Sequence, residues 1–436
     1  MNEELKQLAK SLKPEMVRFC QDLIRIPSLP GEEKEVSQLY LEEMTKLGYD
    51  EVFRDEWGNV IGIIKGEEPG PTIMYNGHLD HVDPGDISEW DGYDPYGGEI
   101  DENLMLTQDM EKEEMTEVIH GRAAADVKGG AAAQIYSGAV LIKLREKGYK
   151  FKGNYLVSMV VLEEPAEMLG MIKLVEDTLP SRRINFDGVI SCEATSLKVA
   201  LGHRGRVEMK VTISGTTSHG SAPWLGVNAV NKATKFIDEV ERVVKENGHT
   251  DNDLGKSSIA LTIINCTPGA LCIVPDRCHI TYDRRFVPGE TVESCLSEIQ
   301  SVIDRLSSED KDFRASVEVS TVPRTTYTGK VATIPNQKEA WKIHKEHPFV
   351  RACVKGLEEV QQPIKYEYWD FGTDLSVVCA KHNKPAIGYS GMQEYYVHRP
   401  IDKVRTDYLE KSIMGNVSMF LKLSKLPKDA FNINQW

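Results

Sequence analysis

The stretch Thr72-Ile73-Met74-Tyr75-Asn76-Gly77-His78-Leu79-Asp80-His81-Val82-Asp83 decides how the rest of the chain is read. Between Pro71 and Gly77, the short apolar run ending at Tyr75 reads as a buried strand. His78, Asp80, His81 and Asp83 then arrive within six residues. A strand that ends in such side chains points to a site at the carboxyl end of a sheet. Neutral imidazole and carboxylate are ligands for Zn2+ and similar divalent ions. Alone, His-x-Asp is a weak signal, because polar loops carry the same tripeptide. The rest of the chain has to supply partners.

Working outward, Val60 to Ile64 reads as a second strand, preceded by amphipathic helices over Glu3 to Arg25 and Glu32 to Leu47. Ile26-Pro27 ends the first helix and Gly48 closes the next. Ala131 to Lys147 is a helix with Ile135, Ala139 and Ile142 on one face, stopped by Gly148. Tyr155 to Leu162 is nearly continuously apolar, the mark of a strand covered on both faces, and Asp187 to Ser191 is another. This alternation predicts an α/β fold, a three-layer domain on a mostly parallel sheet. Trp90 to His120 reads as a long polar connection without regular structure, a length that often signals function.

The pattern changes near Arg206. Strands over Val207 to Ser214, Ser258 to Asn265, Cys278 to Phe286 and Ala315 to Val322 alternate with helices over Asn228 to Asn247 and Thr291 to Leu306. That order, βαββαβ, is the ferredoxin-like α+β unit. The α/β pattern then resumes with a helix near Phe349 to Val360, a strand near Ala386 to Tyr389 and a helix over Thr406 to Leu423. The expected organisation is an α/β domain over 1–205 and 324–436, interrupted by a small α+β domain over 206–323.

The bulk numbers narrow the function. The 436 residues exceed what one core usually serves. A formal net charge of -15 argues against nucleic acid and anionic membrane surfaces as partners. No apolar run reaches the length of a membrane span, and Met1 to Lys6 has no signal-peptide character. The eight cysteines form no Cys-x-x-Cys pair, which fits reduced thiols and a cytoplasmic location.

Ligand-type side chains recur at five places beside predicted strand ends or helix starts: His78 with Asp80; Asp126; Glu163-Glu164; Glu193; and His398. Each has an ordinary reading. An Asp before a helix is most often a cap. Adjacent carboxylates after an apolar strand are harder to dismiss, since they repel unless a cation or a shared proton compensates. The set is stronger than its members.

The series Gly77-His78-Leu79-Asp80, Gly121-Arg122 through Asp126 to Lys128-Gly129-Gly130, Glu163-Glu164, Cys192-Glu193-Ala194-Thr195, Ser218-His219-Gly220-Ser221-Ala222-Pro223, Gly372-Thr373-Asp374 and His398 resembles the M20 family of metallopeptidases and N-acyl-amino-acid amidohydrolases. That family includes acetylornithine deacetylase, succinyl-diaminopimelate desuccinylase and carboxypeptidase G2. Within it, the chain looks closest to a branch of hydrolases linked to selenium metabolism. The resemblance runs over nearly the whole chain, small domain included.

It implies two divalent metal ions per chain, Zn2+ first and Co2+ or Mn2+ as alternatives. Asp126 would bridge them, with His78 and Glu193 completing one site and Glu164 and His398 the other. Glu163 would be the general base, and Asp80 would hold the His78 imidazole in its ligating tautomer. The peptide after Asp126 would be cis. The resemblance further implies that His219 stabilises an oxyanion across a homodimer interface formed by the small domain. Arg285, Gly372 and Thr373 would bind a small substrate with a free carboxylate. Arg284, one residue away on the strand, would face the other side.

The implied reaction is hydrolysis of a C–N amide-type bond in an N-acyl or N-carbamoyl amino acid. A dipeptidase or carboxypeptidase is the alternative within the same chemistry. A non-catalytic metal-dependent binding protein is a third reading, against which Glu163 speaks. Three features depart from the family pattern: His81 and Asp83, Cys272 in Cys272-Ile273-Val274-Pro275, and the Asp402 region where a Glu commonly follows His398.

Overall fold

The strand Glu68–His78 runs near the middle of a nine-stranded sheet. This computed structural model describes residues 2–106, 114–165 and 168–433. Lys152–Val160, Glu68–His78, Gly188–Ser191 and Ala386–Gly388 are neighbours in that order, and all are parallel. Antiparallel strands flank them, Glu51–Arg54 and Val60–Lys65 on one side, Val199–His203 with Trp341–Lys342 on the other. Tyr366–Trp369 also pairs with Val199–His203, in parallel.

The central strands are apolar throughout because helices cover them. Gly129–Glu146 packs between Asn2–Ile24 and Thr406–Leu423, and Pro348–Glu359 lies against the last of these. The expected α/β class is what the molecule has. Gly48, at φ 86°, closes the helix Lys34–Leu47 by turning its N–H back to Met44 and Thr45.

The ends of the four parallel strands are aligned by register. His78 pairs with Val160, Asn76 with Ser191, and Ser191 with Gly388. The residues that follow each strand therefore emerge together at one edge. Gly77 is needed there, since a Cβ at this position would stand 2.8 Å from the Cys192 sulfur.

The small sheet has the order Ser258–Thr267, Arg277–Phe286, Gly205–Ser214, Arg314–Val319, all antiparallel. This is the ferredoxin-like arrangement expected from βαββαβ. Helices Ala229–Asn247 and Val292–Glu309 cover one face and build a second core around Val207, Met209, Phe236, Ile280 and Ile299. Asn228 and Thr291 cap the two helices, accepting from Val230 and Asn231 and from Ser294. The edge strand leaves Ile263 and Ile264 exposed. Only Arg204 separates Val199–His203 of the large sheet from Gly205–Ser214 of the small one. On the return, Thr321–Thr325 and Val331–Pro335 form a hairpin whose Tyr327, Ala332 and Ile334 pack against the large core. Gln337–Lys338 then adds to the small sheet beside Val207 and Arg206.

The region Trp90 to His120 corrects one expectation. It contains antiparallel strands Ile100–Leu106 and Glu114–His120, joined by Lys403–Arg405 into a three-stranded sheet. Ile100–Leu106 is mostly exposed, so charged residues occupy its pleat and hide the alternation. No helix among the described residues is long and apolar enough to cross a membrane.

Candidate metal centre

His78 is the last residue of its strand and is buried. Its Nε2 lies 3.2 Å from Asp126 Oδ1 and 3.7 Å from Glu193 Oε1. Its Nδ1 is 2.9 Å from the main-chain carbonyl of Asp80 and 3.8 Å from that residue's carboxylate. The Asp80 main-chain carbonyl thus receives the Nδ1–H and turns Nε2 toward the acids. The Asp80 carboxylate accepts instead from the amides of Glu163 at 3.1 Å and Glu164 at 2.9 Å. It fixes the turn that follows strand Lys152–Val160.

Asp126 lies on the loop before helix Gly129–Glu146, and the Asp126–Val127 peptide is cis. Asp402 organises this loop. Its buried carboxylate accepts from the amides of Ala123 at 2.8 Å and Ala125 at 2.9 Å and from the Arg122 guanidinium at 3.2 Å. The residue marked as a departure in sequence therefore shapes the loop beneath Asp126. The second oxygen of Asp126 is 2.9 Å from His398 Nε2, which is 3.2 Å from Glu164 Oε2. His398 is half-exposed and held at φ 59°, a left-handed conformation uncommon for a non-glycine residue.

Two groups result, His78–Asp126–Glu193 and Asp126–Glu164–His398, each with its donor atoms within 4.8 Å of one another. The electrostatics fit a cation in each. Burial and the Asp126 charge push the Glu164 carboxyl up to about 7 and Glu193 well above the carboxylate range. Burial pushes Asp126 up too, but hydrogen bonds to His398 and His78 outweigh it and hold it low. Those to Asp126 and Glu164 lift His398 to about 10. One Glu164 oxygen, Oε1, is buried with no hydrogen-bond partner. Crowded carboxylates, shared imidazoles and an orphaned oxygen make a donor set suited to two divalent ions.

Glu163 belongs to neither group. Its Oε1 accepts from the buried Lys338 ammonium at 2.6 Å, and Lys338 also donates to the Gly372 carbonyl at 3.0 Å. Sequence reading missed Lys338, because an isolated lysine in Asn336-Gln337-Lys338-Glu339 carries no motif. The Thr373 amide donates to His203 Nε2 at 3.2 Å, and Asp374 is buried beside this cluster.

The remaining predicted residues lie on the small domain. Among the described residues, neither His219 nor Arg285 bonds to the two groups. His219 is exposed, its Nδ1 taken by the Ser221 hydroxyl at 2.7 Å. Arg285 is half-exposed and paired with Asp283 at 2.6 Å. Arg284 is buried against Glu290 at 2.7 Å and Glu298 at 3.3 Å. The two arginines thus face opposite sides, as the strand period requires.

The departures near His78 are also placed. His81 is buried, donating from Nδ1 to the Val82 carbonyl at 2.8 Å and accepting the Ser28 amide at 2.9 Å. Asp83 is exposed and caps the Gly85 amide at 2.8 Å. Neither joins the metal-type groups. Cys272 is exposed, its carbonyl accepting the Gly220 amide at 2.7 Å beside His219. A cavity of about 990 Å³ opens at the opposite, amino end of the parallel strands, lined by Lys65, Thr72, Arg182 and Lys384. It contains none of the ligand-type residues, so donor chemistry and not volume locates the site.

Residues 201–311 match the family model of a peptidase dimerisation domain, M20_dimer. The chain is 32% identical over 403 residues to the uncharacterised protein YgeY of Escherichia coli K12, covering 92% of each. Its fold is similar to that of aminopeptidase PepT from Bacillus cereus, with a TM-score of 0.69 at 20% identity, over 95% of this chain and 99% of that one. It is also similar to YXEP of Bacillus subtilis, a dinuclear metal-binding peptidase, with a TM-score of 0.66 at 13% identity, over 95% and 99% of the two chains. The chain belongs to the M20 family of metallopeptidases and amidohydrolases, and is a metal-dependent hydrolase.

Proposed function

We propose that the protein is a cytoplasmic amidohydrolase that cleaves the C–N bond of an N-acyl or N-carbamoyl amino acid. The observation that carries this reading is Glu163, a carboxylate set beside two metal-type groups without belonging to either. His78, Asp126 and Glu193 would hold one divalent ion and Asp126, Glu164 and His398 the other. Bound there, two such ions (Zn2+, or Co2+ or Mn2+) supply Lewis acidity and a lowered pKa for water.

The chain's own residues do the rest. Glu163 takes a proton from the attacking water and delivers it to the leaving amine. Asp80 pins the turn that presents Glu163 and Glu164. Arg285 grips the substrate carboxylate, for which its open position on the small sheet is suited. The Gly372–Thr373 backbone lines the substrate's path. His219, from a second copy of the chain, stabilises the developing oxyanion. A homodimer through the small domain is supported by the dimerisation-domain match and by exposed Ile263, Ile264, Trp224 and Leu225.

The test is a panel of N-acetyl, N-succinyl and N-carbamoyl amino acids against dipeptides, with each metal supplied. Turnover of the acylated or carbamoylated amino acids is expected. Turnover confined to dipeptides would replace this reading with a peptidase, and no turnover at all would leave a binding protein.

A further inference from the structure

Lys338 has an unusual position. Its backbone pairs with Arg206 at the end of the small sheet, while its ammonium is buried beneath the metal-type groups. There Nζ donates to Glu163 Oε1 at 2.6 Å and to the Gly372 carbonyl at 3.0 Å. Among the described residues, the other oxygen of Glu163 carries no hydrogen bond. Asp80, Asp126, Glu163, Glu164, Glu193 and Asp374 gather their carboxylates around this point. Two divalent ions would match four of those six charges. Burial works against the Lys338 charge, but Glu163 and Asp374 outweigh it and hold the ammonium above its ordinary range.

A carboxylate with one oxygen tied and one free has a fixed direction. An untethered glutamate beside so many anions would rotate away from them. A base displaced by about 1 Å can lose about a hundredfold in rate. We propose that Lys338 is a positioning residue for the general base: its ammonium holds Oε1 of Glu163, so that Oε2 is aimed at the reacting water. The inference rests on the reading of Glu163 as that base. It also gives the short strand Gln337–Lys338 a purpose, since the residue that anchors the base is fixed where the small sheet is joined to the large domain.

The experiment compares wild type, Lys338→Met, Glu163→Gln and the double variant, using a substrate found in the panel. Lys338→Met should lower kcat about a hundredfold, leave KM within about threefold and keep two metal ions per chain. In metal-free protein, urea unfolding of the four forms should show coupling. Loss of Lys338 should destabilise the wild type more than it destabilises Glu163→Gln, where no buried carboxylate is left unpaired. Should Lys338→Met not fold, Lys338→Gln, which keeps an amide donor, takes its place with the same readouts. A kcat within threefold of wild type, a metal content below two, or a fall in kcat without coupling in the metal-free protein would each overturn the positioning role. Normal turnover by Glu163→Gln would instead refute the general base itself, and the two failures are distinct.

Discussion

Replacing His81 with glutamine isolates the pH dependence written into the strand end. His81 is buried, and burial together with the nearby Lys128 charge lowers its imidazole from 6.5 to about 3. The folded state therefore keeps the ring neutral, with Nδ1 donating to Val82 and Nε2 accepting from Ser28. The unfolded chain takes up a proton below pH ~6.5. Stability present above that pH is lost as pH falls toward about 3, at up to about 1.4 kcal/mol per unit, or about 2 kcal/mol by pH 5. Glutamine preserves an acceptor for the Ser28 amide and does not titrate. It should cost about 1 kcal/mol at neutral pH and then follow a flatter acid limb. The assay is urea unfolding of metal-free protein at pH 7.5, 6 and 5. His203 and His120, also lowered by burial, contribute equally to both proteins and cancel. Curves that run parallel from pH 7.5 to 5 would show that His81 does not hold its neutral form in the fold, and the reasoning would fail.

Asp402→Ala should remove about 3–5 kcal/mol of stability, because it strands the buried Arg122 charge and frees the Ala123 and Ala125 amides. Thermal melts and metal content measure this, and an unchanged metal stoichiometry would refute the loop's dependence on Asp402. His219→Ala should lower kcat with little change in KM. Mixing it with Glu163→Gln after dissociation and reassociation should restore activity, since the inactive subunit can lend its His219 to the intact base of the other. Failure to recover activity in mixed dimers would rule out action across the interface.

Legibility in the sequence followed burial. Strands such as Lys152–Val160 are covered on both faces and announce themselves as apolar runs, so their polar successors stand out. The pattern marked five places, and the family resemblance picked His78, Asp126, Glu164, Glu193 and His398 from them as ligands; the structure brings all five together. Short strands outside the parallel centre fared worse. Val199–His203 and Trp341–Lys342 depend on neighbours far along the chain, and the hairpin after Trp90 is hidden by its charges. Which Asp80 oxygen lies nearer the His78 ring is a matter of about 1 Å that no residue pattern encodes. Lys338 was invisible for the same kind of reason, because its contact with Glu163 spans 175 positions.

The single residue between the two sheets has a mechanical consequence. Val199–His203 is locked in the large core, and Arg204 alone precedes Gly205–Ser214. Such a joint permits a swing and resists sliding. Arg206, Lys338 and Arg285 share one register position next to this axle, and a group near an axle scarcely travels. The strand then reaches away for ten residues, about 30 Å at ~3.3 Å per residue. A swing of about 10° would carry its far end, and the His219 loop beyond it, roughly 5 Å by the same length. Any swing about Arg204 would thus displace His219 far more than Lys338 or Arg285.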